Sequence, residues 1–449
     1  MLILVFTISA AQCQIVMATS DYTTGNTAMY DIKTGTFIDN TLPHHQDVYV
    51  KTDGVYCYIL EGFGKNAIIK YNSSPIASSE KVIYHYSVSS DGSETNPKDI
   101  VFLDSKAYVI LLGSSSILII DPNTTSEKSF IKGKIDLSAW VDADGSPEAC
   151  LGFVYDGMVY IVLQRQENWV PKTATLIKID PSTDTIMDMD ETVKGIQGID
   201  LMVKNPQWGS LLGSKLYLAG TVYGKTEGAV ITIDLTNPAH QVKIIDEAIA
   251  GITIAGMDVF SDDCALIYSS DENWNMVARF FDPADGSLGD YLPVPNAGGG
   301  AVMVDGLLYV GSREETNPGM YIVDPKTNST VGSIFPTELP PLNIVYVGKE
   351  KSTLVSESTD MPGSFSVSAA YPNPFNPFTT VSFTLSRPNI VRVDVFNTAG
   401  QMVDTISNTY MDTGYQSVVW DASGRASGIY YLRVSDGVFS QTAKVTLVK

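Results

Sequence analysis

The run Asp142-Ala143-Asp144-Gly145-Ser146-Pro147-Glu148 gathers three carboxylates. Acids two apart followed by glycine can wrap a hard cation, so Asp142, Asp144 and Glu148 are candidate calcium ligands. A simple acidic turn is the competing reading, because the rest of a twelve-residue calcium loop is missing. No other cofactor is implied. His44-His45 is a poor chelate, since adjacent side chains on a strand point to opposite faces. The chain has four histidines and four cysteines, with no Cys-x-x-Cys, His-Glu-x-x-His, Gly-x-Ser-x-Gly or phosphate-cradling loop. Cys57, Cys150 and Cys264 read as core thiols, with one disulfide as the alternative. Trp140, Trp169, Trp208 and Trp274 fall in or beside inter-strand insertions. There they either fill space or stack on sugar rings. Gly298-Gly299-Gly300 marks a tight passage near a crowded axis or, alternatively, a substrate-admitting mouth.

These residues are carried by a repeat. Across residues 15–348 a strand that often opens with Asp-Gly and ends in Tyr is followed by a second apolar strand ending in Asp, often Asp-Pro. Asp156-Gly157-Met158-Val159-Tyr160 with Leu176-Ile177-Lys178-Ile179-Asp180-Pro181 is one copy; Asp305-Gly306-Leu307-Leu308-Tyr309 with Met320-Tyr321-Ile322-Val323-Asp324-Pro325 is another. The closing positions are 31, 72, 121, 180, 234, 282 and 324. Their spacing suits four-stranded propeller blades. Each copy builds an antiparallel meander with its own turn chemistry. Seven such units packed radially bury both faces and leave few edges. Six or eight are the alternatives, because the middle units carry insertions. The first copy lacks its innermost strand, and a spare strand, Leu342 to Val347, follows the seventh. The chain ends are therefore expected to clasp one ring.

The ends Asp121-Pro122-Asn123-Thr124 and Asp324-Pro325-Lys326-Thr327 resemble those of YVTN-type and quinoprotein-dehydrogenase-like propellers. The Trp-docking signature of quinoprotein blades is missing, so no site comes with that resemblance. Residues 349–364 are polar and read as a linker. Beyond them, alternating strands predict an immunoglobulin-like β-sandwich over 365–449. Here the motif Tyr371-Pro372-Asn373-Pro374-Phe375-Asn376-Pro377 is followed by the turn Val395-Phe396-Asn397-Thr398-Ala399-Gly400-Gln401. Gly414, Trp420-Asp421, Gly428 and the closing strand with Lys444 come next. In order and spacing this resembles the C-terminal sorting domain of type IX secretion. The resemblance implies recognition by outer-membrane secretion machinery and a secreted or outer-surface location in a Gram-negative, Bacteroidetes-like bacterium. Ala422 departs from the family's usual glycine after Trp-Asp.

The expected fold class is thus all-β, a seven-bladed β-propeller plus a C-terminal immunoglobulin-like β-sandwich. Residues 1–11, apolar and ending in small residues, read as a signal peptide; 12–348 form the propeller. No other run approaches a transmembrane span. Net charge is −21, with 44 acids and 23 bases in residues 1–359 and six of each from 360 onward. So acidic a first part excludes nucleic acid as a partner. The favoured reading is an exported binding protein whose extracellular ligand is protein or carbohydrate. The alternative is a secreted propeller enzyme of lactonase, lyase or dehydrogenase type, with its site in the central channel.

Overall fold

The computed structural model describes residues 13–72, 83–89, 95–103, 105–167, 170–222, 225–270, 275–348, 366–367, 370, 372–385, 389–398, 401–411, 414–435 and 440–448. The expected signal peptide and linker lie outside them. The chain divides into two compact units, residues 1–356 and 357–449.

Among the described residues the first unit holds seven antiparallel meanders of four strands, two of them with a fifth strand. Blade 2 runs Val48–Thr52, Tyr56–Glu61, Ala67–Asn72 and Ile83–Ser87. Blades 3 to 7 begin with the innermost strands Pro97–Phe102, Ala149–Tyr155, Pro206–Leu212, Ile254–Ser261 and Ala297–Val304. Blade 1 is assembled from both ends of the unit. Its outer three strands are Cys13–Ser20, Gly25–Asp31 and Thr36–Ile38, and its innermost is Pro341–Gly348. The register sets Ile15 opposite Tyr346 and Met17 opposite Ile344. The spare strand read from the sequence is this closing strand.

Local chemistry explains the meanders. In Asp156-Gly157 and Asp305-Gly306 both residues of each pair have positive φ, as a two-residue type I′ hairpin requires. At the third-to-fourth-strand turns, the carboxylates of Asp31, Asp121, Asp180, Asp234, Asp282 and Asp324 accept backbone N–H groups two or three residues on, at 2.8 to 3.0 Å. Between neighbouring blades lie seven apolar clusters. One joins blades 1 and 2 through Val16, Val50, Ile59 and Val347; another joins blades 7 and 1 through Ile15, Met17, Val304, Tyr309 and Ile344. With a cluster at every junction the ring is closed. Each buried Ile or Leu adds roughly 1.5–3 kcal/mol.

Polar clips reinforce the innermost strands. Asn343 accepts from Val50 N–H at 2.8 Å, Asp99 from Gly152 N–H at 3.0 Å, Ser210 from Val259 N–H at 3.1 Å and Asp258 from Ala301 N–H at 3.2 Å. Each clip joins one blade to the next. Lys51 adds an ion pair to Asp99 at 2.7 Å.

The second unit is two antiparallel sheets around one core. Ser366–Val367, Phe378–Leu385 and Gly414–Asp421 form the first. Met402–Met411, Asn389–Asn397, Gly428–Ser435 and Ser440–Leu447 form the second. The core includes Phe375, Phe383, Val393, Trp420, Leu432 and Val445.

Candidate functional site

Two places gather the candidate residues, one in each unit. In the sandwich, the Pro372–Pro377 motif works as a clip on the last strand. Asn373 donates from Nδ2 to Lys444 O at 2.9 Å and accepts Thr446 N–H on Oδ1 at 2.8 Å. Phe375 N–H bonds Thr446 O, and Val448 N–H bonds Phe375 O. A side-chain amide has the donor and acceptor of a peptide group, so Asn373 stands in for a neighbouring strand. The edge of Ser440–Leu447 is thereby covered. Pro372 O accepts from Thr379 Oγ1, and Pro377 O from Ala422 N–H. Ala422 is buried in the core where the family pattern has glycine. Pro374 and Asn376 are exposed.

Trp420 is fully buried between Phe375 and Tyr430, with ring centroids 5.4 and 5.1 Å away. Its Nε1 donates to Asp404 at 3.2 Å. Asp421 accepts Ser423 N–H and shapes the following turn. Gly428 pairs with Leu447, and Lys444 with Tyr431. Gly414 pairs with Leu385. Gly400 lies outside the described residues, while its turn is held by Gln401 N–H on Asn397 Oδ1 at 3.0 Å. Asp394 is buried beneath Arg392, Thr405 and Arg433. Burial pushes its carboxyl up, but hydrogen bonds from Thr405 and Arg392 outweigh that and hold it below the usual range.

In the propeller, the structure places Asp142 against two cations. Its side chain is 6% exposed, with Arg165 at 3.2 Å and Lys172 at 3.1 Å. Asp144 accepts Ser146 N–H. Glu148 accepts Gln166 N–H at 2.7 Å. Burial, with Asp144 and Asp142 nearby, raises its carboxyl to about 7. Glu148 also has φ 46 immediately before an innermost strand. Asn96, Asn205 and Asn296 hold that place and conformation in three other blades. Its position is that of a blade-leading residue. Among the described residues no group of three or more His, Cys, Asp or Glu converges to hold a metal ion.

Of the tryptophans, Trp140 is buried between blades 3 and 4, and Trp208 packs between blades 5 and 6. Trp140 therefore fills space, while Trp208 is half-buried. Trp169 and Trp274 lie outside the described residues. None of the four cysteines is in a disulfide.

The sequence did not single out the residues of a cleft of about 570 Å³ that opens over the seam of the ring. Its walls come from the Asp21-Tyr22 turn, Arg313 and Glu315 of blade 7, and Glu338 to Pro340 leading into the closing strand. Met276, Asn296 and Pro318 complete it. Tyr22 is held at φ 64, its N–H on Ser20 Oγ at 2.9 Å. Asp21 pins the turn by accepting Thr23 and Thr24 N–H. Arg313 lies 5.2 Å from the Tyr22 ring centroid and donates to Pro341 O at 2.7 Å. The glycine run is the one sequence signal that led here. A Cβ on Gly298 would come within 2.9 Å of Met276 and 3.1 Å of Arg313; one on Gly299 would meet Pro341 at 2.7 Å.

Fold and clip together define a propeller protein with a self-contained C-terminal sandwich. Residues 369–448 match the family described as secretion system C-terminal sorting domain. The chain therefore carries a type IX secretion sorting domain, which directs export and cell-surface attachment in Bacteroidetes-type bacteria. No curated protein matches the chain in sequence. Similar solved structures include a candidate 6-phosphogluconolactonase from Bacteroides fragilis, at 11% identity and TM-score 0.50, covering 76% of this chain and 99% of that one. AztD from Citrobacter koseri, in its apo form, matches at 12% identity and TM-score 0.47 over 76% and 99% of the two chains. PorZ from Porphyromonas gingivalis, described as an essential bacterial surface component of the type-IX secretion system, matches at 13% and 0.40, over 95% of this chain and 56% of its own. The first of these supports the propeller fold and carries no activity with it. No helix among the described residues is long and apolar enough to cross a membrane.

Proposed function

We propose that this protein is a type IX cargo that binds an extracellular ligand through its propeller, while the sandwich serves as the signal read by outer-membrane machinery. The observation that carries the reading is the sandwich, whose signature motif closes its own last strand and whose core, among the described residues, is built from residues 370–447. Such a unit can be read apart from its cargo. The cleft over the ring seam supports the binding role, because rigid loops there present polar and aromatic groups together.

The test compares the full chain with a version ending at Gly348 in a type IX-competent host. Mass spectrometry then locates each in periplasm, surface and medium. The shortened form should stall in the periplasm, and surface material from the full chain should end inside 349–364. Equal arrival of both forms at the surface would overturn the sorting role. The second reading, a secreted propeller enzyme, draws on Asp258, whose carboxyl faces Tyr268 at 2.7 Å on an innermost strand and is raised by burial to about 7. A group poised there can act as a general acid or base.

A further inference from the structure

We infer that the cleft over the ring seam is a binding site for neutral carbohydrate, with Tyr22 as its stacking platform. The inference rests on the ligand-platform reading above and gives it a place and a chemical class. At about 570 Å³ the cleft is in the range of small-molecule sites. Tyr22 is 63% exposed on a turn pinned by three local hydrogen bonds. A non-glycine residue held at positive φ persists where its surroundings dictate it, as at binding sites. A rigid exposed ring offers apolar area at little entropic cost, and the C–H face of a sugar matches it.

The polar lining disfavours anionic ligands, because a phosphate or carboxylate entering the cleft would face Asp21, Glu315 and Glu338 beside Arg313. Hydroxyl groups both donate and accept, so they satisfy carboxylates and the guanidinium alike. Glu338 is already fixed by Asn40 Nδ2 at 2.7 Å, and Arg313 by Pro341 O, so these groups are oriented before a ligand arrives. Gly298 keeps the floor open, since a side chain there would displace Met276 and Arg313. The cleft also spans the join between the first and last strands of the ring. An occupant touching Tyr22 and the 338–340 segment therefore braces the closure, and binding should register as thermal stabilisation.

The test titrates the full chain with cellobiose, maltose, mannobiose, lactose and N,N′-diacetylchitobiose, with oligolysine as the charged control, by calorimetry and thermal shift. At least one saccharide should bind saturably and raise Tm, with no loss on adding salt. Tyr22→Ala should weaken that binding by at least about tenfold, while the unliganded Tm falls by no more than the loss of the ring's contact with Arg313 allows. Gly298→Ala, which crowds the side chains of Met276 and Arg313, should weaken it as well. Sugar binding unchanged in both variants would move the site elsewhere and overturn the cleft, leaving the ligand-platform reading intact. Salt-sensitive binding of oligolysine alone would overturn the ligand class. No binding of any saccharide at about 10 mM would overturn the inference, while the export reading stands or falls separately on the localisation assay.

Discussion

Asp258 shows how one residue can hold two blades and also set a pH response. Its Oδ2 receives Tyr268 from its own blade and Ala301 N–H from the next. Burial raises its carboxyl to about 7, against the opposing pull of those two hydrogen bonds. In the unfolded chain it titrates near 4. Between those values the folded state binds more protons than the unfolded state, so stability falls as pH rises through the window. Above it the penalty is complete, and partial solvent access keeps it to about 1–2 kcal/mol. Asp258→Asn keeps the shape and both hydrogen bonds without the charge. Its Tm should exceed that of the parent at pH 8, with the gap closing at pH 5. A gap that is the same at both pH values would show that Asp258 is ionised throughout. Glu148, raised in the same direction, leaves the variant a smaller residual slope of the same sign.

At the scale of the element, the last strand of the sandwich depends on a side chain for its outer neighbour. Asn373→Ala removes both amide contacts and leaves Lys444 O and Thr446 N–H facing water. The cost should be about 1 kcal/mol, seen as a lower sandwich melting temperature and faster hydrogen exchange at Thr446. Unchanged exchange at Thr446 would mean that Phe375 alone covers the edge. The strands and turns were legible in the sequence because their causes are local. An aspartate that caps its own turn, as Asp180 does, or an Asp-Gly pair that fixes a hairpin, carries its structural consequence within a few residues. The motif from Tyr371 to Pro377 was legible as a signature, but its mechanical role was not, since its partner lies some seventy residues away. The ion pairs of the acidic turn were hidden for a related reason. Local spacing placed Asp142 and Glu148 together, whereas Arg165 and Lys172, which claim Asp142, arrive from a neighbouring hairpin.

For the whole propeller, closure by Pro341–Gly348 is the decisive contact. Deleting Leu342 to Val347 strips Ile344 from the cluster between blades 7 and 1, and Val347 from that between blades 1 and 2. It also removes the Asn343 clip. The loss should be at least about 5 kcal/mol, a large fall in the melting temperature of the entire ring. An unchanged melting temperature would refute the closure. The ring itself was readable from its repeat, but the cleft was not. Tyr22 and Glu338 stand more than three hundred residues apart, and only the closed ring makes them neighbours.

The order of these parts along the chain has a bearing on errors of synthesis. Blade 1 waits with three strands for a fourth that is made last, and the sorting sandwich is made only after that. A polypeptide cut short before residue 341 thus has an open ring and carries no address. Under the proposed sorting role such a product lacks the signal for the exporter and is expected to stay in the periplasm. Placing the tag behind the final clasp ties permission to leave to completion of the cargo, with no separate proofreading step required.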